Sequence, residues 1–233
     1  MIVIGVTGKS GAGKTTFTDF LGERKNVGVI HLDDMVNNVK EDSFQKQIRK
    51  RNKNNEPVLL PSNLHAIINN NRLVFRTFCR IKKHFLKDRI AAEIKRFKAE
   101  GKDAVVIESC YLTDLVDKKL FNKMICVKRP FKKRVQAVME RENESESKVD
   151  MVTRDMPYKR RISSVKESDF DYIIMNTNGK EELKNASEKI YDEVVGIKTF
   201  DELIRVDKGV KTKAKKIAKV ICTKTTIRDR AEK

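Results

Sequence analysis

Hydrophobic and polar positions fall into blocks along this chain, and the blocks repeat in one order. IVIGVT (2–7) is an unbroken apolar run rich in β-branched residues, the pattern of a strand buried on both faces. NVGVIHL (26–32), DAVVIES (103–109), KMICVKR (123–129) and DYIIMN (171–176) repeat that signal at spacings that leave room for helices between them. The alternation predicts an α/β fold with a five-stranded parallel sheet, sustained to about residue 195. The first helix should open near Gly13. The longest helical pattern runs from about Leu73 to Glu100, with Val74, Phe78, Ile81, Phe85, Ile90, Ile94 and Phe97 near a 3.6 period and Gly101 as its stop. It reads as one helix or as two with a bend. A further helix follows Pro130, over Lys132 to Glu142.

Three stretches break the pattern. Residues 40–63 are polar and carry Pro57 and Pro61, which predicts a basic helix followed by a loop. Residues 143–168 are charged and poor in core positions, as a helical lid or mobile flap would be. Beyond Gly196, residues 208–224 hold seven lysines and no acid. The organisation expected is therefore a domain over 1–195 and a basic extension over 196–233. The extension reads either as a solvated tail or, through Val210, Ile217, Val220 and Ile221 at helical spacing, as a docking stripe.

Composition narrows the class. The length of 233 residues, set against roughly 150 per domain, allows one domain with an appendage. Hydrophobic residues at 39%, charged residues at 36% and a mean hydropathy of −0.55 exclude a disordered chain and a membrane protein. Fifty-one Lys and Arg against 33 Asp and Glu leave a charge of +18, which predicts an anionic partner, either a nucleic acid or a polyphosphate ligand. Cys79, Cys110, Cys126 and Cys222 are widely separated, which excludes a zinc cluster or a thioredoxin-type pair and fits a reducing cytoplasm. The opening apolar run stops at Gly8 with no basic segment before it, so no signal peptide is expected.

The chemistry begins where the first strand ends. Gly8, Lys9, Ser10, Gly11, Ala12, Gly13, Lys14 and Thr15 spell G-x-x-x-x-G-K-T between a predicted strand and a predicted helix, the context that a phosphate-binding loop needs. Glycines let the backbone aim successive N–H groups at phosphate oxygens, and the helix N-terminus behind them adds partial positive charge. Lys14 supplies charge to the β and γ phosphates, and the Thr15 hydroxyl is placed to ligate Mg²⁺, with Thr16 completing the nucleotide-binding set. The fold class expected is thus a three-layer P-loop α/β/α domain. No N-K-x-D guanine-reading element follows the later strands, which favours ATP. Asp33 and Asp34 are read at the end of the second strand, where one carboxylate can accept the proton of an attacking hydroxyl or orient the metal, or else cap a helix; Asp33 is the favoured base. Glu108, at the end of the third strand, is suited to the water shell of Mg²⁺ or to capping the following turn.

These pieces together resemble the dephospho-coenzyme A kinase family over roughly residues 1–195. The resemblance rests on VIGVTGKSGAGKTTFTDFL, VGVIHLDDMVNNV, the helix around Lys83-His84-Phe85, RPFKKRVQAVMERE and FDYIIMNTNGKEEL. It implies an ATP-dependent, cytoplasmic phosphotransferase of coenzyme A biosynthesis. In it, Asp33 acts as base on the ribose 3′-hydroxyl of dephospho-coenzyme A, while Arg141, with Arg160 or Arg161 in the lid, steadies the transferring phosphoryl charge. His84 stands where the family contacts its acceptor, and reads either as such a contact or as an ordinary helix-surface histidine. Three departures are visible: His84-Phe85 in place of His-Pro, Ser109-Cys110-Tyr111-Leu112 in place of a Pro-Leu-Leu stretch, and Ala137 where an arginine is expected. Since they lie near the acceptor, a nucleoside or nucleoside monophosphate kinase is the alternative within enzymes. A nucleic-acid-associated NTPase or binding protein is the alternative outside them, motivated by the charge and the lysine-rich tail. It lacks a stacking platform, because Trp is absent and Phe200 is the one aromatic beyond Gly196.

Overall fold

The computed structural model describes residues 1–37, 71–141 and 166–196, with Val152, Arg154, Asp155 and Pro157. The segment 40–63, most of the expected lid, Arg160, Arg161 and the extension from residue 197 lie outside the described residues. Residues 1–189 form one unit and residues 190–233 a second. Of the second unit, residues 190–196 are described: they finish a helix and make the π-helical turn Asp192–Gly196.

In the first unit, β1 (Ile2–Thr7), β2 (Val27–His31), β3 (Ala104–Glu108), β4 (Lys123–Lys128) and β5 (Tyr172–Met175) form one sheet. All neighbours are parallel and the order is β2-β3-β1-β4-β5. Each strand lies within a residue of its expected ends. The central strands β1 and β3 are buried at every position, as apolar runs covered on both faces must be. The outer strand β5 leaves Ile173 and Met175 exposed.

The described helices are α1 (Lys14–Gly22), α2 (Leu32–Asn37), α3 (Arg72–Ala99), α4 (Leu112–Leu115), α5 (Phe131–Arg141) and α6 (Lys180–Tyr191). α3 is one continuous helix. The Asn71 side chain accepts from the N–H groups of Leu73 and Val74 at 3.0 and 3.2 Å, satisfying two otherwise unpaired donors at its start. Gly101, at φ 73°, turns the chain out of its last turn. The buried face is Phe75, Cys79, Leu86, Ile90 and Phe97, whereas Val74, Phe78 and Ile94 are half-buried at its margin. The sequence stripe was thus displaced by one residue over the first half of the helix. Neighbouring residues are about 100° apart round the axis, so either of two apolar neighbours can lead, and the surface opposite decides. That surface is the core of Ile30, Leu32, Val105, Ile107, Leu112 and Leu115. Phe75 meets Tyr111 edge to face at 5.1 Å, and its full burial contributes about 1.5–3 kcal/mol.

Topology now positions the site. From β1 the chain crosses β3 to reach β2, and from β3 it crosses β1 to reach β4, so the connections diverge between β1 and β3. In an open parallel sheet the crevice at such a point, outside the carboxyl ends of the strands, is where ligands bind. The register places Val6, Glu108 and His31 side by side across β1, β3 and β2 at that edge.

Candidate active site

Residues 8–13 join β1 to α1. Gly13 sits before the first residue of α1 at φ 97°, and no side chain caps the helix. A Cβ on Gly8 would lie 2.2 Å from the Val127 carbonyl oxygen, and one on Gly13 would lie 2.6 Å from Asn176 Nδ2. Both positions therefore require glycine, for space and for their positive φ. Asn176, directly after β5, donates Nδ2 to the Ala12 carbonyl at 2.9 Å and accepts the Gly179 N–H through Oδ1 at 3.1 Å. Loop and helix together present a positive, hydrogen-bonding N-terminus suited to phosphate.

Glu108 is the hub of the crevice. Lys14 is buried, with Nζ 3.6 Å from Glu108 Oε1. Thr15 Oγ1 donates to Glu108 Oε2 at 3.4 Å, and His31 Nδ1 lies 3.1 Å from that same oxygen. Burial works against the Glu108 carboxylate, but the His31 hydrogen bond and the Lys14 charge outweigh it and hold its pKa below the usual value. Burial works against the Lys14 ammonium too; Cys110 and Glu108 beside it prevail, its pKa is raised, and it keeps its proton.

Asp33 and Asp34 were expected at the end of β2. The strand stops at His31, and both aspartates lie in the first turn of α2, exposed. Buried Leu32 explains the shift: it anchors the turn in the core and leaves the next two side chains outward. Although Asp33 is open at the surface, enough protein surrounds its carboxyl to displace water, and this, with Glu108 second, raises its pKa against the opposing charges of Lys14 and Lys82. Lys82, on α3, is desolvated enough to lower its own pKa despite Asp33. Its Nζ lies 4.5 Å from the Phe78 ring centre. His84 is exposed on α3, about 200° round the helix from Lys82. Arg141 is the last residue of α5.

Several residues that hold the loop in place carried no signal in the sequence. Arg134 of α5 is buried; its Nη1 donates to the Ser10 carbonyl at 3.0 Å, and the guanidinium grips Asp155 through two bonds of 3.1 and 2.5 Å. Asp155 also lies 3.7 Å from Lys9 Nζ, and Arg154 Nη1 reaches Ser10 Oγ at 3.4 Å. Two recesses border this frame. One of about 610 Å³ is edged by Gly8, Lys9, Ala12, Phe131 and Met175. The other, about 410 Å³, lies between Lys133 and Ala137 of α5 and residues 177–179, the segment joined to the phosphate loop through Asn176.

Among the described residues no cluster of three His, Cys, Asp or Glu side chains could hold a metal unaided. The Thr15 hydroxyl beside the Glu108 carboxylate is an all-oxygen set. That chemistry fits Mg²⁺, which is commonly bound by one or two protein oxygens together with substrate phosphates.

A five-stranded parallel sheet with a G-x-x-x-x-G-K-T loop at its topological switch point, backed by a strand-end carboxylate, defines a P-loop nucleotide-binding protein. The family model for dephospho-CoA kinase (CoaE) matches residues 2–182, and the chain belongs to the dephospho-CoA kinase family. No curated protein matches it. Among solved structures, TT1252 from Thermus thermophilus is 20% identical with a TM-score of 0.52, covering 83% of this chain and 97% of that one. The dephospho-CoA kinase from Campylobacter jejuni is 18% identical with a TM-score of 0.51, at the same coverage of 83% and 97%. At such identities these two neighbours bear on the fold alone.

Proposed function

We propose that the chain transfers the γ-phosphoryl group of ATP to the 3′-hydroxyl of dephospho-coenzyme A, the last step of coenzyme A biosynthesis, with Lys14 and Asp33 as its working side chains. Family membership over residues 2–182 carries the reaction. The grouping of Lys14, Thr15, Glu108 and Asp33 at one sheet edge supports the residue roles.

In this reading the triphosphate lies along residues 8–15, and its base enters the recess beside Ala137 and residues 177–179. Lys14, held protonated, draws charge from the β and γ phosphates. Thr15 would hold Mg²⁺ directly and Glu108 its water shell, and the ion, when bound, neutralises charge on the same phosphates. Asp33 accepts the acceptor's hydroxyl proton as the new P–O bond forms and the bond to the ADP oxygen breaks. A carboxylate whose pKa is raised is a stronger base toward that hydroxyl proton than an ordinary aspartate. Most of the catalysis is positioning and charge stabilisation, since a loose phosphoryl-transfer transition state leaves little covalent work to the protein.

The test is an acceptor panel. The protein is incubated with Mg²⁺ and ATP and, separately, dephospho-coenzyme A, nucleosides, nucleoside monophosphates and single-stranded DNA or RNA. Phosphorylation of dephospho-coenzyme A at the 3′ position is expected. A nucleoside or nucleotide product in its place would overturn the acceptor, and ATP turnover stimulated by nucleic acid alone would overturn the kinase.

A further inference from the structure

Tyr111 and Arg154 meet across 43 residues of chain. The Tyr111 hydroxyl donates to the Arg154 carbonyl at 3.0 Å, and Arg154 Nη1 donates to the Ser10 hydroxyl of the phosphate loop at 3.4 Å. The tyrosine is itself held from several sides. Its ring stands edge to face against buried Phe75 of α3, with the centroids 5.1 Å apart. Its carbonyl accepts the N–H groups of Asp114 and Leu115 in α4 at 2.9 and 3.1 Å, and the Thr7 hydroxyl, at the end of β1, donates to the Cys110 carbonyl at 3.0 Å. The residue after Arg154 is fixed as firmly, since Asp155 is buried in the two-bond grip of Arg134. Arg134 also holds the Ser10 carbonyl at 3.0 Å, so one side chain sets the spacing between the loop and the backbone at Arg154. That backbone is thus pinned from two elements, the turn after β3 and α5. At 3.4 Å the contact with the Ser10 hydroxyl is longer than a good N–H···O bond, and it does not by itself explain the bracing.

We propose that Tyr111 is a positioning residue for phosphoryl transfer: its hydroxyl holds the backbone at Arg154 so that the Arg154 guanidinium stays on the phosphate loop and contacts the γ-phosphoryl group as that group transfers. This rests on the kinase reading above, in which the triphosphate lies along residues 8–15. Ser10 is the third residue of that loop. A guanidinium there can turn its planar fork onto two phosphate oxygens and answer the charge that a loose transition state spreads over them. Lys14 is a point charge within the loop, and Arg154 adds a fork from outside it. Arginine keeps its proton at any working pH, so position is the variable that matters. A misplacement of about 1 Å can cost about 10²-fold in rate. Tyr111 lies in Ser109-Cys110-Tyr111-Leu112, a departure from the family pattern, so the brace belongs to this chain's own sequence.

The experiment is a double-mutant cycle on kcat with Mg²⁺, ATP and dephospho-coenzyme A, with ATP affinity followed by titration calorimetry. Arg154→Ala should lower kcat about 10³-fold, the low end for an arginine that stabilises a transferring phosphoryl group. Arg154→Gln takes its place if the alanine variant does not fold. Tyr111→Phe keeps the ring and its packing on Phe75; it should lower kcat about ten- to a hundredfold and leave the ATP dissociation constant little changed. Made in the Arg154→Ala background, the same change should lower kcat no further, because the group it positions is gone. A purely structural tyrosine would act equally in both backgrounds. Unchanged kcat in Tyr111→Phe, an equal loss in both backgrounds, or near-normal kcat in Arg154→Ala would overturn the proposal while leaving the kinase reading intact. Failure of the unaltered protein to transfer phosphate from ATP to any acceptor of the panel would overturn both.

Discussion

Removing the Asp155 carboxylate leaves the Arg134 guanidinium buried with most of its partners gone. Both side chains are nearly inaccessible, at 4% and 2% of their surfaces, and the two bonds between them are the main satisfaction of a fixed charge. After Asp155→Ala, Arg134 keeps the Ser10 carbonyl at 3.0 Å and the Phe131 ring at 5.3 Å, which serve part of one face of the guanidinium. Breaking one side of a buried pair costs about 3–5 kcal/mol, because the survivor can neither neutralise nor reach water. The contact of Asp155 with the partly exposed Lys9, at 3.7 Å, adds only about 0–1 kcal/mol to that figure. For a chain of this size each kcal/mol lowers the melting temperature by about 2–4 °C, so a fall of about 6–20 °C is expected. Arg134→Met with Asp155→Leu removes both charges and should recover much of the loss, since apolar replacement of a buried pair is often neutral or better. Thermal and urea unfolding followed by circular dichroism, arranged as a double-mutant cycle, measure the coupling. An Asp155→Ala protein melting within about 2 °C of the original would refute the reasoning, as would a double variant less stable than either single one.

Lys14→Ala should leave the fold intact and lower phosphoryl transfer by about 10² or more, the scale of deleting a transition-state donor; a folded variant with near-normal turnover would remove the phosphate loop from the mechanism. Asp33→Asn should cut turnover with little change in ATP affinity and Asp34→Asn should do less, and kinetics showing the reverse order would exchange their roles. Since Asp33 must be ionised to take a proton and its pKa is raised, turnover in the original protein should fall on acidification at a pH above the ordinary aspartate value, a limb read from a kcat profile and absent in Asp33→Asn. Truncation after residue 196 should preserve ATP binding and transfer, because every residue given a chemical role precedes it; an inactive, well-folded truncation would show the extension to be part of the enzyme.

What the chain states locally was legible without coordinates. Runs such as IVIGVT and AVVIE can satisfy their backbone and bury both faces only inside a parallel sheet, and the glycines, Lys14 and Thr15 of the phosphate loop form a site within eight consecutive residues. Asp33 was legible too, although its place on a helix turn was decided by Leu32 entering the core. The partnerships that tune and brace the loop were hidden for a common reason. Glu108 is 77 residues from His31 and 93 from Thr15, and Asn176 is 164 from Ala12, so no window of sequence contains either partner with the other. Arg134 reads as one more basic residue on an amphipathic helix, and Asp155 as one more acid in a charged segment. Only strand register and helix packing bring them together, and only burial, which the fold imposes on distant residues at once, turns an ordinary histidine, arginine or aspartate into a group whose charge must be answered by a particular partner.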